Sequence, residues 1–164
     1  MHHYIFLIDT SYSMYTYTSK VRQIISEYIQ NIKENIHEIA FISIVTFNSE
    51  LTYIVRNMPV EQVYQIPDFN VNSNTCLYDA VSTVISEYVN DTETVYNMYI
   101  ISDGVDTGSR YYSKESTDTL CKQVIDTGKW HIIHYNTQSP NIIPVQYVKI
   151  DMNNLDVILN GLTL

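Results

Sequence analysis

Oxygen-bearing side chains stand where three apolar segments of this 164-residue chain begin or end. The first apolar segment ends in DTSYSM, a later amphipathic segment is preceded by NT, and a third segment ends in SDG. These motifs supply two carboxylates and at least three hydroxyls, and no histidine lies among them. The five residues at issue are Asp9, Ser11, Ser13, Thr75 and Asp103.

An oxygen-only donor set is typical of sites for hard divalent cations. Magnesium takes oxygen ligands at about 2.1 Å in an octahedron and keeps several waters. We expect the hydroxyls of Ser11, Ser13 and Thr75 to bind the cation directly, and Asp9 and Asp103 to bind through water or to orient those hydroxyls. Two carboxylates leave the cation electrophilic, with a position open to an outside carboxylate. The residues therefore predict a site for Mg²⁺, or for Mn²⁺ or Ca²⁺ in its place.

Apolar runs and helical periodicities predict the elements that position these residues. Short continuous apolar runs indicate strands that are buried on both faces, and apolar residues at spacings of three and four indicate amphipathic helices. The predicted strands are residues 4–8, 39–47, 51–55, 95–102, 130–135 and 145–150. The predicted helices are residues 21–36, 77–88, 116–128 and 153–162, with one short helix near 60–64.

This order of elements favours an α/β fold. Buried strands that alternate with amphipathic helices predict a mostly parallel sheet covered on both faces. Residues 51–55 follow the preceding strand after the short turn NSE, which predicts a hairpin and one antiparallel edge strand. The length fits one domain, residues 1–164. Functional groups of open α/β sheets gather beyond the carboxyl ends of the strands, which is where the motifs lie.

Three motifs in order resemble those of the von Willebrand factor A (vWA) domain. They are DTSYSM at residues 9–14, NTCLYDAV at 74–81 and IISDG at 100–104. The metal-ion-dependent adhesion site (MIDAS) of that family has the pattern D-x-S-x-S, followed by a distant Thr and a distant Asp. The five oxygen-bearing residues fill all of these positions, and the resemblance extends over the whole chain. It implies a three-layer, Rossmann-like α/β/α fold with an intact MIDAS.

Two positions depart from the common pattern of the family. Tyr12 stands where many vWA domains have Gly, although the integrin β-subunit domains resemble this chain with their own S-Y-S. Asn74 stands where Gly usually precedes the Thr, and Asn tolerates the left-handed conformation that Gly would supply. Thr107 matches the family's SDGxxT and is expected to brace the loop, whereas Thr10 is expected to be a spacer. Segment 56–74 leaves no room for a long second helix.

The resemblance implies a binding module rather than an enzyme. A cation in the MIDAS would recruit an Asp or Glu from a protein partner. Tyr12, Tyr15, Tyr78 and Tyr111 would form a rim around the metal that contacts this partner. Stand-alone vWA proteins inside cells often serve as scaffolds or components of larger complexes, and we expect such a role here.

A metal-dependent hydrolase or phosphatase of α/β fold is the alternative. Haloacid-dehalogenase-type phosphatases also place a carboxylate at the end of the first strand, but they need a second Asp two residues on, where this chain has Ser11. No general base such as His lies near the motifs in the sequence, and no glycine-rich phosphate-binding motif occurs. A metal-free interaction domain is a third possibility, which the complete set of motif residues disfavours.

Composition and charge limit the partners and the location. The formal net charge of −9 repels phosphate backbones, so we expect no nucleic-acid binding. No apolar stretch reaches the roughly 20 residues of a membrane span, and no signal peptide precedes the first strand. We therefore expect a cytoplasmic protein without membrane insertion, with its two cysteines reduced. Abundant Tyr and scarce Gly and Pro are typical of an AT-rich genome, and the oligomeric state stays open.

Several other polar residues have simple structural interpretations. Thr75 is placed to cap the following helix as well as to bind a metal. His2 and His3 are expected to belong to a frayed N-terminus. His131 and His134 stand three apart on a predicted strand and face opposite sides of the sheet, which disfavours a zinc site.

Overall fold

A six-stranded sheet forms the centre of the protein in the computed structural model, which describes residues 1–138 and 141–161. The strands are β1 (His2–Asp9), β2 (Ala40–Phe47), β3 (Leu51–Pro59), β4 (Val95–Ser102), β5 (Trp130–Asn136) and β6 (Gln146–Lys149). They lie in the order β3-β2-β1-β4-β5-β6, so the first strand of the chain is at the centre. β2 and β3 are antiparallel, and the other neighbouring pairs are parallel.

Helices cover both faces of the sheet. They are α1 (Thr18–Asn35), α2 (Leu77–Tyr88), α3 (Lys114–Ile125) and α4 (Asp156–Gly161), with 3₁₀ helices at Tyr12–Tyr17 and Val60–Gln62. α1 and α4 pack on one face, while α2 and α3 pack on the other. Among residues 1–138 and 141–161, no helix has both the length and the apolar character that crossing a membrane requires.

Residues 4–8 of the central strand β1 are all apolar because both faces of the strand are buried there. Tyr4, Phe6 and Ile8 point into the cluster beneath α1, and Ile5 and Leu7 point into the cluster beneath α2 and α3. Successive side chains of a strand point to opposite faces, so a strand between two helical layers needs apolar residues at every position. The continuous apolar run YIFLI therefore reflects the packing of helices on both faces of the strand.

The carboxyl ends of β1, β2 and β4 meet at one edge of the sheet. Asp9 is in register with Phe47 of β2, and Ile8 is in register with Ile101 of β4. Ser102, the last residue of β4, therefore lies beside Asp9, and the loop after β4 leaves the sheet next to the loop after β1. This parallel register brings together motifs that are far apart in the sequence.

The predicted architecture is confirmed, including the antiparallel edge strand. β3 continues to Pro59 rather than ending at residue 55. The backbone between β3 and α2 forms the short 3₁₀ helix Val60–Gln62 and an isolated parallel bridge between Asn72 and Ser11. α3 begins at Lys114 because Ser113 and Ser116 form a capping box there. These differences lie at the ends of elements, where apolar periodicity carries the least information.

The expectation of a frayed N-terminus was wrong. His2 and His3 belong to β1 and are in register with the first two residues of β2. His3 is buried, and its Nε2 lies 2.8 Å from Ser43 Oγ, within hydrogen-bonding distance. Its ring also packs edge-on against Tyr88. The parallel partners on both sides of β1 hold this end of the strand in the sheet.

Two buried histidines make the fold sensitive to acid. Burial lowers the pKa of His3 to about 4, although the carboxylates of Glu87 and Asp91 act in the opposite direction. Burial alone lowers the pKa of His134 to about 4. His134 Nε2 lies 3.2 Å from Asn136 Nδ2, within hydrogen-bonding distance. Both imidazoles are therefore neutral in the folded protein near neutral pH.

We expect the free energy of unfolding to fall as the pH is lowered from about 7.5 to about 5. A histidine whose pKa drops from 6.5 to about 4 on folding contributes stability that is present above pH 6.5 and is lost as the pH falls toward 4. Each buried histidine then accounts for a loss of about 2 kcal/mol at the lower pH. Urea unfolding of His134→Gln at both pH values should show about half of the histidine-dependent loss.

The control for this prediction is His131→Gln, which changes the exposed histidine on the same strand. It should keep the pH dependence of the wild-type protein. If His134→Gln also kept the full wild-type dependence, protonation of His134 would not be a source of acid sensitivity.

Candidate functional site

The carboxylate of Asp9 is buried at the end of the central strand. Its side chain is 0% exposed, and both of its oxygens accept hydrogen bonds. The backbone N–H of Ser11 donates to Oδ1 at 2.8 Å, and Ser102 Oγ donates to Oδ2 at 2.7 Å. Asp9 therefore joins the loop after β1 to the end of β4 and is held in one orientation.

A chain of hydroxyls connects the first motif to Asp103. Ser13 Oγ donates to Asp103 Oδ1 at 2.9 Å, and the hydroxyls of Ser11 and Ser13 are 3.2 Å apart. Ser11 is buried, whereas Ser13 is exposed and Asp103 is half-buried. The structure thus brings four of the five predicted site residues into one hydrogen-bonded group that begins inside the protein and ends at its surface.

Thr75 lies in a loop that is tied to the same edge of the sheet. Its backbone N–H donates to Thr107 Oγ1 at 2.9 Å, and the N–H of Thr107 donates back to the carbonyl of Thr75 at 2.9 Å. This pair confirms the expected bracing role of Thr107. Asn74 has φ of +67°, so the left-handed conformation expected there is also confirmed. No hydrogen bond connects Thr75 directly to Asp9, Ser11, Ser13 or Asp103 among the described contacts.

Thr75 does not cap α2, contrary to one expectation. The N-cap residue is Cys76, and no side chain accepts a capping hydrogen bond there. The N–H of Cys76 instead donates to the carbonyl of Asn48 at 2.9 Å, which fixes the start of α2 against the end of β2. The hydroxyl of Thr75 is thereby left free of a capping role.

Thr10 is more than a spacer. It is fully buried, and its hydroxyl donates to the carbonyl of Phe47 at 3.2 Å and accepts from Asn48 Nδ2 at 3.1 Å. Since Asn48 also holds Cys76, Thr10 connects the loop after β1 with the start of α2. Sequence reasoning missed this contact because several hydroxyl residues follow one another in the motif, and the sequence does not indicate which of their side chains points into the protein.

The side chain of Met14 anchors the first motif in the core. Met14 is 0% exposed and follows Ser13 in the 3₁₀ helix, with its N–H donating to the carbonyl of Ser11 at 2.9 Å. In this turn the side chain of Ser13 is exposed, while that of Met14 fills the cluster beneath α1.

Asp79 holds the loop that follows β4, a role that the sequence did not reveal. Its carboxylate accepts hydrogen bonds from the backbone N–H groups of Arg110, Tyr111 and Tyr112, at 2.8 to 2.9 Å. The adjacent Asp106 accepts from the N–H of Tyr78 at 3.1 Å. The carboxylates thus tie α2 and the loop to each other in both directions.

The end of β5 supports the backbone of Asp103 and Gly104. Thr137 Oγ1 donates to the carbonyl of Asp103 at 2.8 Å, and Asn136 Nδ2 donates to the carbonyl of Gly104 at 2.7 Å. These contacts fix the direction in which the Asp103 side chain leaves β4. The sequence motif did not include Asn136 and Thr137, because these side chains bind backbone carbonyls of other residues and lie far from the motif in the sequence.

The site carries negative charge without a cationic side chain. Burial raises the pKa of Asp9, and the nearby Asp103 acts in the same direction, although the hydrogen bonds from Ser102 and Ser11 oppose the shift. Within the described part of the chain, neither Asp9 nor Asp103 forms a salt bridge. The described residues also contain no cluster of three or more His, Cys, Asp or Glu side chains, so any cation here would depend on hydroxyl ligands.

Three of the four rim tyrosines are exposed near this edge. Tyr12 is 66% exposed, Tyr15 71% and Tyr111 85%. Tyr78 is less exposed than these three, because its side chain is half-buried and packs beside the cluster beneath α2 and α3. Its side chain belongs partly to the core of the protein, so Tyr12, Tyr15 and Tyr111 are the exposed members of this group of four.

Solved structures with a similar fold are vWA domains. The ArnB paralog VWA2 from Sulfolobus acidocaldarius is 18% identical, with a TM-score of 0.66 over 96% of this chain and 43% of that chain. Proximal thread matrix protein 1 (PTMP1) from the mussel byssus is 14% identical, with a TM-score of 0.68 over 98% of this chain and 44% of that chain. A von Willebrand factor type A structure from Catenulispora acidiphila is 11% identical, with a TM-score of 0.64 over 98% and 41%. The chain therefore has the three-layer, Rossmann-like vWA fold.

The similarity is structural and covers only part of the other proteins. The chain spans less than half the length of each of these three structures. No family model matches the sequence, and no curated protein matches it either. One structure of PTMP1 has a zinc-occupied MIDAS motif, which shows that metal binding occurs at this motif in that protein.

We expect Asp79→Ala to loosen the loop after β4. The change removes the acceptor of three backbone N–H groups, which are partly open to water, so the free energy of unfolding should fall by about 1–3 kcal/mol. Hydrogen exchange at the amides of Arg110, Tyr111 and Tyr112 should become faster, and urea unfolding gives the stability. Asp126→Ala is the control, because it removes an exposed partner of Lys122 and should cost less than about 0.5 kcal/mol. Unchanged exchange rates in Asp79→Ala would contradict this role.

Proposed function

We propose that this chain is a metal-dependent protein-binding module. In this proposal Asp9, Ser11, Ser13, Thr75 and Asp103 hold a divalent cation at the carboxyl edge of the sheet. The cation recruits an Asp or Glu side chain from a partner protein, and the exposed tyrosines contact the surrounding surface of that partner. The chain then acts as a scaffold or as a component of a complex rather than as an enzyme.

The buried and uncompensated carboxylate of Asp9 is the observation that carries the proposal. An ionised group that is removed from water costs free energy unless a charge or several hydrogen bonds compensate it. Asp9 has two hydrogen bonds, no salt bridge within the described residues, and a second carboxylate nearby at Asp103. A divalent cation supplies the missing positive charge for both carboxylates at once.

The hydroxyl groups fit a metal of this kind. Ser13 uses its proton to donate to Asp103 and accepts from the hydroxyl of Ser11, so one lone pair of its oxygen remains available to a cation. All of the proposed ligands are oxygens, which favours Mg²⁺ and also admits Mn²⁺ or Ca²⁺. Burial raises the pKa of the neighbouring Cys76, so its thiol is protonated and is a poor metal ligand.

A carboxylate is the partner group that this donor set favours. Two carboxylates and neutral hydroxyls leave a divalent cation with an incomplete, electrophilic shell when it is bound, and an anionic oxygen from outside completes it. Hydrogen bonds to the Asp9 carboxylate keep its orientation fixed while a ligand approaches.

The surroundings of the site support binding over catalysis. The described hydrogen-bond donors to Asp9 and Asp103 are three hydroxyls and one backbone N–H, none of which acts as a general base at neutral pH. His134 connects to the loop after β4 only through Asn136, is 1% exposed, and has its pKa lowered to about 4 by burial. A substrate bound at the surface would have no direct path to this imidazole.

We expect Mg²⁺ to stabilise the wild-type protein, and we expect Asp9→Asn to be as stable as the wild type without metal but insensitive to Mg²⁺. Millimolar Mg²⁺ should raise the melting temperature by several degrees, because a ligand that binds only the folded state stabilises it. Asp9→Asn removes a buried charge and keeps the shape of the side chain. Without metal its melting temperature should therefore equal or exceed that of the wild-type protein, and Mg²⁺ should no longer raise it. Thermal unfolding in Mg²⁺ and in EDTA measures both effects.

Asp91→Asn is the control for this substitution. Asp91 is another hydrogen-bonded aspartate, but it lies before β4 at the opposite edge of the sheet. This variant should lose stability and still respond to Mg²⁺. If the wild-type protein melted at the same temperature in Mg²⁺ and in EDTA, the chain would be a metal-free module and the proposal would be wrong.

The binding function itself can be tested with a minimal acidic peptide. An acetylated and amidated Gly-Gly-Asp-Gly-Gly peptide should shift the backbone amide resonances of Ser11, Ser13 and Thr75 in the presence of Mg²⁺. EDTA, or a peptide with Asn in place of Asp, should abolish these shifts. Equal shifts in Mg²⁺ and in EDTA would rule out recruitment through the metal. Turnover of a phosphate ester by the wild-type protein, lost in Asp9→Ala, would instead favour the hydrolase.

A further inference from the structure

A surface groove lies beside the proposed metal site, between the β2–β3 turn and the start of α2. It has a volume of about 160 Å³. Phe47, Leu51 and Ala80 form its apolar part, and Glu50 and Tyr111 also line it. Phe47 and Ala80 are buried, whereas Glu50 and Tyr111 are exposed. The groove is therefore apolar inside and carries an acid and an aromatic ring on its exposed side.

The groove shares a wall with the metal site. Cys76 lines the groove and is the residue that follows Thr75. Asn48 also lines it, accepts a hydrogen bond from Cys76 and donates one to Thr10. An extended peptide advances about 3.3 Å per residue. A partner whose acidic residue reaches the metal, and whose chain runs toward the start of α2, therefore brings a side chain to this groove within a few residues.

The charged groups that line the groove are both acidic. Within the described residues they are Glu50 and Asp79, and no lysine or arginine lines it. Asp79 is occupied by the backbone N–H groups of the loop after β4. Glu50 forms no salt bridge among the described contacts, so its carboxylate is available to a partner.

We propose that this groove receives the side chain of a lysine or arginine that lies within a few residues of the partner's acidic residue. This inference rests on the proposed metal-dependent function. The methylene stem of such a residue packs against the partly exposed side chain of Leu51, and its charged end reaches Glu50. The exposed ring of Tyr111 offers a further contact to a cation. The net charge of −9 also attracts a basic segment to this surface.

A lysine scan of the minimal acidic peptide tests this inference. For the scan the peptide is lengthened to acetylated and amidated Gly-Gly-Gly-Asp-Gly-Gly-Gly. One lysine is placed in turn at each of its six glycine positions, and a norleucine peptide is made for each position. Norleucine has the apolar stem without the charge. Affinities are measured by amide chemical-shift titration in Mg²⁺, with the wild-type protein, Glu50→Gln and Glu61→Gln. Glu61 is exposed and lies in the 3₁₀ helix that packs on the opposite face of the sheet, so Glu61→Gln is the matched control.

The expected result is a preference for lysine at one or two positions only. There the lysine peptide should bind about three- to tenfold more tightly than its norleucine counterpart, which is typical of a partly exposed ion pair with an aromatic contact. This ratio should fall to about one in Glu50→Gln, remain in Glu61→Gln, and shrink at high salt. Shifts of the amides of Leu51 and Cys76 should accompany the preference.

Two other results separate the possible failures. If the peptides bind only with Mg²⁺ but norleucine equals or exceeds lysine at every position, the groove takes an apolar residue or none. The inference is then wrong and the proposed function stands. If no peptide shows Mg²⁺-dependent binding, the proposed function fails and this inference fails with it.

Discussion

The position of one buried carboxylate organises this edge of the molecule. Asp9 lies at the end of the central strand, between β2 and β4, where the parallel sheet excludes water from it. Its oxygens are bound by Ser102 from the neighbouring strand and by the backbone of its own loop. An acid in this place is costly to the metal-free fold, and the fold retains it with hydroxyls and a second acid grouped around it. In the proposed function, the same charge that destabilises the metal-free fold would hold the cation.

Main-chain contacts fix the loops around this carboxylate. Asp79 binds three consecutive N–H groups of the loop after β4, and Asn136 and Thr137 bind its first two carbonyls. The carbonyl of Asn48 accepts a hydrogen bond from the N–H of Cys76 and so fixes the start of α2. Each of these residues acts on the backbone, so the side chains at the surface can differ while the loops keep their positions. Of the exposed tyrosines, Tyr111 stands on one of these loops, and the groove beside Glu50 borders on the start of α2.

Most of the fold follows from the sequence, because burial leaves a simple pattern. The continuous run of β1 and the three-and-four spacing of α1 predict the layers and the sheet correctly, and the short turn NSE predicts the antiparallel edge. His3 was misjudged, since a polar residue at a chain end looks exposed until its partner Ser43 on the next strand is known.

The sequence predicts the oxygen-bearing residues of the candidate site, but it does not predict all of the residues that hold the surrounding loops in place. Asp9, Ser11, Ser13 and Asp103 stand out because they end buried strands with oxygen groups, and the structure groups them. Thr75 lies on a loop braced by Thr107, as its motif indicated. The inward hydroxyl of Thr10 and the role of Asp79 depend on contacts between distant segments. Residue types alone do not reveal such contacts.

The hydrogen bond between Ser102 and Asp9 joins residues that are 93 positions apart in the chain. Contacts between such distant residues require the closure of a long loop, which costs chain entropy before the contact is made. The bond depends on the finished pairing of β1 with β4, and the site is complete only when the second half of the sheet is in place. An interaction that is absent from the folding transition state stabilises a protein by slowing its unfolding. Where the pairing of β1 with β4 forms after the transition state, a cation bound at this edge would act on the lifetime of the folded chain rather than on the speed with which it forms.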